Sequence, residues 1–469
     1  MFNRFKNYQM KKITIYLLVL IALTSSCKKV LDVNKDPNNP IDVQESLLLA
    51  PVELNVSDQV YAGNASIIVQ NFMQTITANQ PNPGIWNYQL FNIDLDGDWF
   101  NYYVNILNNL KILDTKATAD GQANYSAIAK ILSAYTLGTA TDIWGDIPYS
   151  QAFKGNDKLT PVYDKQEDIY KAVQTLLDNG IADIEKNSTT KPAGDDYFYN
   201  GDMGKWKRLA YTLKARYYMH LTKAPGYTAA TQADLALAAL TKGMGSSDDD
   251  LKFAYSGAAG SENTINLNFS PVTTYVLNNT YVEGFKSRND PRLSKIVKPA
   301  ESTKLYHGRT VGEVTGDLST YSYPADFYAG ANSPNYIFNY EEALFLKAEA
   351  TFIKSGAAAA QPIYQDAVKL NMAKLSVTTG DANAYVLQRG TLTAGNAVQL
   401  IMEEKSVANF FNIENFSDWR RTGYPAITKS NGALSDIPRR LLYPQSEILT
   451  NAQPQQSAKL TDRVWWDTL

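Results

Sequence analysis

The stretch that runs from Asn124 into Phe153 constrains the chain most. Ile128, Ile131, Leu132, Tyr135 and Leu137 recur near helical spacing, which predicts an amphipathic helix over Asn124 to Ala140. That helix cannot continue. Gly145-Asp146 breaks the pattern, and Ile147, preceding Pro148, is pushed into an extended conformation. The chain must turn there, and Trp144, Tyr149 and Phe153 are placed to plug the corner.

Other segments repeat the helical pattern. Asp98 to Lys116 carries Trp99, Tyr102, Tyr103, Ile106, Leu110 and Leu113 on one stripe, and Glu167 to Ile184 and Met203 to Leu221 are as regular. Ser46 to Ala62 (with Pro51 inside), Ala65 to Thr77, Gln232 to Leu240, Tyr340 to Lys354, Tyr364 to Leu375 and Ala394 to Phe411 complete the set. Paired helices with short connections predict a mostly α fold, a scaffold of tetratricopeptide-like helix pairs. The small-then-large spacing of Ala348 and Phe352 fits such pairs.

Between Lys242 and Asn339 the texture changes to Gly, Ser, Asn, Pro and Tyr. The stretch is too long for one structureless loop, so an irregular, loop-rich subregion with short strands is expected at about 242–339. Such regions carry function on a rigid scaffold. From Phe416 the tail is also non-repetitive. Its paired arginines, Arg420-Arg421 and Arg439-Arg440, are expected to be structural, with Glu403, Glu404 and Asp418 as candidate partners.

The N-terminus has its own logic. Lys11-Lys12 precede an apolar run, Ile13 to Leu23, of signal-peptide length. Thr24, Ser25, Ser26 and Cys27 then resemble a lipobox, with Thr24 where an aliphatic residue is usual. The expected organisation is a signal peptide over 1–26, a lipidated tether over 27–45 and a single body over 46–469. Cys27 would carry acyl chains that hold the protein on a membrane. As the sole cysteine it also rules out an internal disulfide.

With charged residues at 19% and a net charge of -3, the electrostatic footprint of a nucleic-acid binder is missing. No GxSxG, HExxH or phosphate-cradling glycine loop occurs, and no carboxylate pair stands out for glycoside hydrolysis. Neither a cofactor nor a metal is expected. Asp94, Asp96 and Asp98 alternate as hard-cation ligands do, but the distant bidentate Glu of an EF-hand is missing and Asp98 serves equally as a helix N-cap.

Seven segments together resemble the SusD/RagB family of outer-membrane lipoproteins. They are LDVNKDPNNP after Cys27, TDIWGDIPYSQA (Thr141 to Ala152), KWKRLAYTLKARYYMHL (Lys205 to Leu221), RNDPRL (Arg288 to Leu293), EEALFLKAEA (Glu341 to Ala350), SDWRRTGYP (Ser417 to Pro425) and IPRRLLYPQSE (Ile437 to Glu447). The resemblance implies a lipid-anchored, non-catalytic protein on the outer membrane, facing the exterior. It would capture oligosaccharide, or peptide in some branches, for a SusC-like TonB-dependent transporter.

A glycan offers apolar ring faces to Trp or Tyr and hydroxyls to Asn, Asp, Gln or Arg. Two stretches supply both. One is Asn79 to Asn92, with Trp86, Asn87 and Tyr88 after a turn. The other is TYSYPADFYAG, with Tyr321, Tyr323, Asp326 and Tyr328. These aromatics either meet ligand or pack their loops down.

Overall fold

The computed structural model describes residues 43–186, 188, 190–270 and 272–468; Cys27, the expected signal segment and most of the tether lie outside them. The body is mostly α. Its longer helices, in chain order, are α1 (Glu45–Asn55), α2 (Asn64–Phe72), α3 (Asn109–Ala119), α4 (Ala123–Trp144), α5 (Gln166–Ile184), α6 (Met203–His220) and α7 (Ala229–Leu240). They continue with α8 (Asn279–Ser287), α9 (Tyr340–Ser355), α10 (Ala357–Lys374), α11 (Thr379–Arg389), α12 (Ala397–Ala408) and α13 (Glu414–Thr422).

Neighbours in this series stack side by side: α3 on α4, α4 on α5, α5 on α6, α6 on α7, α7 on α9, α9 on α10 and α10 on α11. Each helix buries one stripe against the last and offers another to the next, as in helical repeats. Helix α9 joins two apolar cores. Its Leu346 and Ala350 face the main one, while Phe345 and Ala348 face a second built with α10, α11 and α12.

The structure corrects the sequence reading at several elements. Helix α2 stops at Phe72: Gln74 turns left-handed and Ile76, expected in the helix, enters strand β1 (Ile76–Ala78). The predicted Asp98 helix is α-helical only at its two ends and widens into π-helical turns over Asn101–Asn108. The stretch from Phe416, expected to be non-repetitive, begins inside a regular helix, because Phe416 to Thr422 lie in α13. That helix escapes a periodicity search because Glu414, Asp418, Arg420 and Arg421 are buried along with Phe416 and Trp419, so no apolar stripe stands out.

Among the described residues, eight short strands form four antiparallel pairs. β1 pairs with β5 (Tyr275–Leu277), and β2 (Ile147–Pro148) with β3 (Tyr163–Asp164). β4 (Leu251–Phe253) pairs with β8 (Asn335–Phe338), and β6 (Val297–Lys298) with β7 (Tyr323–Pro324). β4 to β8 fall within the stretch expected to be irregular, which also contains α8.

The corner after α4 is closed by the tail. Trp144 is fully buried, its indole N–H donates to the Leu442 carbonyl (2.9 Å), and Tyr103 Oη donates to the Pro148 carbonyl (2.9 Å). Leu441 N–H donates to Ile143 (2.8 Å), Tyr443 Oη to Asp146 (2.6 Å), and the Arg440 guanidinium to the Trp144 carbonyl. Two of the sequence segments, far apart in the chain, thus complete one another.

Beneath the corner lies a buried polar network. His220 Nε2 meets Glu414 Oε1 (2.8 Å), and His220 Nδ1 meets Tyr170 Oη (2.8 Å) and Asp142 (3.3 Å). Arg216 donates to both oxygens of Glu342 (2.8 and 2.7 Å), and Lys405 pairs with Asp418 (2.7 Å). Arg421 takes Glu349 and Asp418; Arg420 serves carbonyls of Asp142, Phe416 and Arg439 between the Phe416 and Trp466 rings. Asp418 is thus a partner of the paired arginines as expected. Glu403 and Glu404 instead pair with Arg389, and Glu404 also with Arg292.

This network makes stability pH-dependent. Burial pushes the His220 imidazole down, but Glu414 and Asp142 outweigh it and hold the group up at about 9. A raised histidine contributes stability that is complete below its ordinary value of 6.5 and is lost as pH rises through the folded value. The expected result is a stability that falls between pH 7 and pH 9.5 by an amount on the order of 3 kcal/mol at most, read as a falling melting temperature. A His220→Gln variant should lack that slope; an unchanged slope would remove His220 from the account.

Candidate functional site

Loops rather than helices build the candidate surface, and a buried arginine holds them together. Arg309, fully buried, donates from Nε to Asn79 Oδ1 (3.2 Å) and from Nη2 to the carbonyls of Gln80 (3.1 Å) and Glu313 (2.6 Å). Asn79 Nδ2 donates to the Gly316 carbonyl (2.6 Å), and Gly316 N–H returns to Asn79 Oδ1 (3.2 Å). β1 and β5 pair just beneath. The two stretches singled out in the sequence are thereby joined, Asn79 to Asn92 through Asn79 and the second through the segment that leads into Tyr321.

Trp86 is half-buried at this surface. Its Nε1 donates to Asn82 Oδ1 (3.0 Å). Its ring lies over Gly84, where an added Cβ would fall 2.3 Å from the indole Cζ2. Asn82 in turn donates to the Asn431 carbonyl (3.3 Å) and sits against Gly432, which adopts φ +67°. Only a residue without Cβ permits both that conformation and that approach. The indole is held from below and its N–H is satisfied, so it presents a fixed apolar face rather than a free rotor.

The other candidates divide. Asn87 and Tyr88 were expected to face ligand, and both are buried as loop anchors. Asn87 accepts from Gly84 N–H (2.7 Å) and donates to the Gly432 carbonyl (2.8 Å). Tyr88 Oη accepts from Ser430 N–H (3.1 Å), with its ring edge-on to Phe72. Tyr321 is buried and stacks on His307 at 5.6 Å, and burial raises its phenol. Tyr328 is buried among Phe327, Tyr336 and Phe410. These residues turn inward because backbone donors and rings from distant segments wait for them, which their own sequence neighbourhood does not reveal.

Tyr323 and Asp326 remain accessible. Tyr323 is half-buried and, with Phe269, Asn266, Lys304 and Ser319, lines a cavity of about 580 Å³. Asp326 is exposed and ion-pairs with Lys298 on the same cavity. Trp86 thus offers a fixed indole beside the amides of Asn82 and Asn431, and the Tyr323 cavity a half-buried phenol beside Asn266; aromatic faces next to polar side chains are what a saccharide site uses. Asn82, Arg309 and Asn431 were missed in sequence. The turn-forming Ser430-Asn431-Gly432 run was the available signal for the last of them.

The Asp94 to Asp98 run is used internally. Asp94 accepts from Phe91 N–H (2.8 Å) and Asp96 from Ser446 N–H and Oγ (both 2.9 Å). Asp98 caps a different helix from the one expected, accepting from Ala65 N–H (2.8 Å) and Asn64 Nδ2 (2.7 Å) at the start of α2. Its burial there raises the carboxyl to about 6.

Comparison with known proteins places this geometry. The profile of the SusD-like family described as "Starch-binding associating with outer membrane" matches residues 37–444. A solved chitin-binding protein is 25% identical, with a TM-score of 0.78 over 91% of this chain and 100% of that one. A chitin-binding SusD homolog from Flavobacterium johnsoniae is 22% identical, with a TM-score of 0.77 over 90% and 98%. A SusD/RagB family protein from Bacteroides thetaiotaomicron is 22% identical, with a TM-score of 0.78 over 91% and 99%. No curated protein matches the chain.

Proposed function

The chain belongs to the SusD-like family, and from that premise we propose that it is a non-catalytic outer-membrane lipoprotein that captures oligosaccharide at the cell surface. The captured ligand passes to a SusC-like TonB-dependent transporter. The observation that carries the reading is Trp86, an indole fixed by Asn82 and Gly84 on a surface otherwise made of amides and loops. A stacking platform with satisfied polar edges binds a sugar ring, and nothing about it promotes bond cleavage. The chitin-binding proteins of the same fold make chitin oligosaccharides the first ligands to test, followed by starch fragments.

Affinity electrophoresis of the chain from residue 28 onward, across a polysaccharide panel, tests the reading. Retarded migration in one glycan with no release of reducing ends supports capture. Release of reducing ends would point to a hydrolase, and binding of peptides alone would assign the chain to a peptide-binding branch.

The membrane anchor is proposed at Cys27, on the lipobox-like run before it. Among the described residues no helix is long and apolar enough to cross a membrane. Cys27→Ala is expected to move the protein from the membrane fraction to the soluble fraction with its melting temperature unchanged; retention in membranes would contradict the anchor. The transporter should co-purify with the acylated protein from detergent extracts.

A further inference from the structure

The corner after α4 opens into a second cavity, of about 510 Å³, built from segments other than those around Trp86. Its floor is the end of a row of near-parallel rings. Tyr163 and Trp99 lie 6.2 Å apart at 26°, Trp99 and Tyr103 4.5 Å apart at 28°, and Tyr103 and Phe153 6.1 Å apart at 24°. Phe153 is held at φ +62°, a left-handed conformation that is a genuine outlier for a bulky side chain. Such strain persists only where the surroundings over-determine it, and it clusters at ligand sites.

The loop that carries Phe153 is tied down at its base. Asp164 accepts from Tyr149 N–H, Ser150 N–H and Ser150 Oγ (2.8, 2.8 and 2.6 Å). The loop carries Lys154, Asn156 and Lys158 to the cavity wall, which Asn108 from the π-helical segment also lines.

Charge decides what fits. The two carboxylates on the wall are committed to the protein: Asp96 accepts from Ser446 N–H and Oγ, and Glu447 accepts from Asn451 Nδ2 (2.7 Å). Lys154 and Lys158 have no carboxylate partner, and the side chains of Asn108 and Asn156 make no hydrogen bond among the described residues. Asp157, between the lysines in sequence, does not line the cavity. The open wall thus combines an aromatic face, two free amides and two lysines that make no ion pair among the described residues.

We propose that this cavity is a second saccharide site, selective for a sugar bearing a carboxylate or sulfate group. The ring stacks on the Tyr103 and Phe153 side, its hydroxyls meet Asn108 and Asn156, and the anion meets Lys154 and Lys158. The site shares no residue with the Trp86 surface and stands whether or not that surface binds glycan.

Calorimetric titration of the chain from residue 28 onward with trigalacturonate and with a heparin-derived tetrasaccharide tests it. The expected result is saturable binding of at least one of them that weakens as salt rises from 50 to 500 mM. Binding should fall at least tenfold in Lys154→Ala/Lys158→Ala, with the melting temperature unchanged, and stay within twofold in Trp86→Ala. Absence of binding to both probes, native-like binding by the double lysine variant, or loss of binding in Trp86→Ala would overturn the proposal. Equal binding of neutral chitotriose that the lysine changes leave untouched would overturn it as well.

Discussion

Arg292→Met is expected to destabilise the protein by about 3–5 kcal/mol, the range for removing one partner from a buried ion pair. Arg292 is fully buried and donates to Asp290 (2.9 and 2.7 Å), Glu404 (2.5 Å) and Asn371 (3.0 Å), with its guanidinium over the Tyr385 ring at 5.4 Å. It therefore joins the loop-rich stretch that carries Asp290 to α10, α11 and α12. Methionine fills much of the volume but leaves Asp290 without the arginine that pairs with it, while Glu404 keeps Arg389 (2.9 Å) and the Tyr385 hydroxyl (2.8 Å). Urea unfolding should show the loss as a lower midpoint with an unchanged slope. A change below about 1 kcal/mol would mean that the carboxylates find other donors and that the arginine is dispensable to the fold.

Trp86→Ala is expected to weaken oligosaccharide binding by about 30-fold or more, the effect of truncating an aromatic hot spot worth about 2 kcal/mol. The melting temperature should move little, because the indole is half-buried and its one hydrogen bond, to Asn82, lies at the surface. Tyr88→Ala should do the reverse and lower stability, because Tyr88 is buried against Phe72 and caps Ser430 N–H. If Trp86→Ala instead unfolds the loop and leaves affinity intact, the residue is a packing element and the site lies elsewhere.

These contrasts show how far local sequence reaches. Helices α5 and α6 are legible because Ile169, Val173 and Leu177, and Leu209, Leu213 and Tyr217, present unbroken apolar stripes that the structure buries. The helical body and its family were readable on that basis and from the ordered motifs. Helix α13 was not, because its inward face is charged and its partners Glu349 and Lys405 lie in other helices. The site was half legible. A turn rich in Asn, Pro and Gly raises aromatics off the scaffold, and Trp86 is the one of that turn's three candidates that stays half-buried rather than buried. Whether a ring then turns back is set by groups such as Ser430 and Gly432, more than three hundred residues away in sequence. Asp98 teaches the same lesson, since it caps α2 and not the helix that contains it.

The most direct test of the central claim is a calorimetric titration of the soluble chain with chitin and starch oligosaccharides, with the contents of the cell then separated by chromatography. Capture without catalysis predicts saturable binding to one oligosaccharide series and recovery of that ligand intact. Shortened products, or no heat of binding with any glycan by a folded protein, would contradict it.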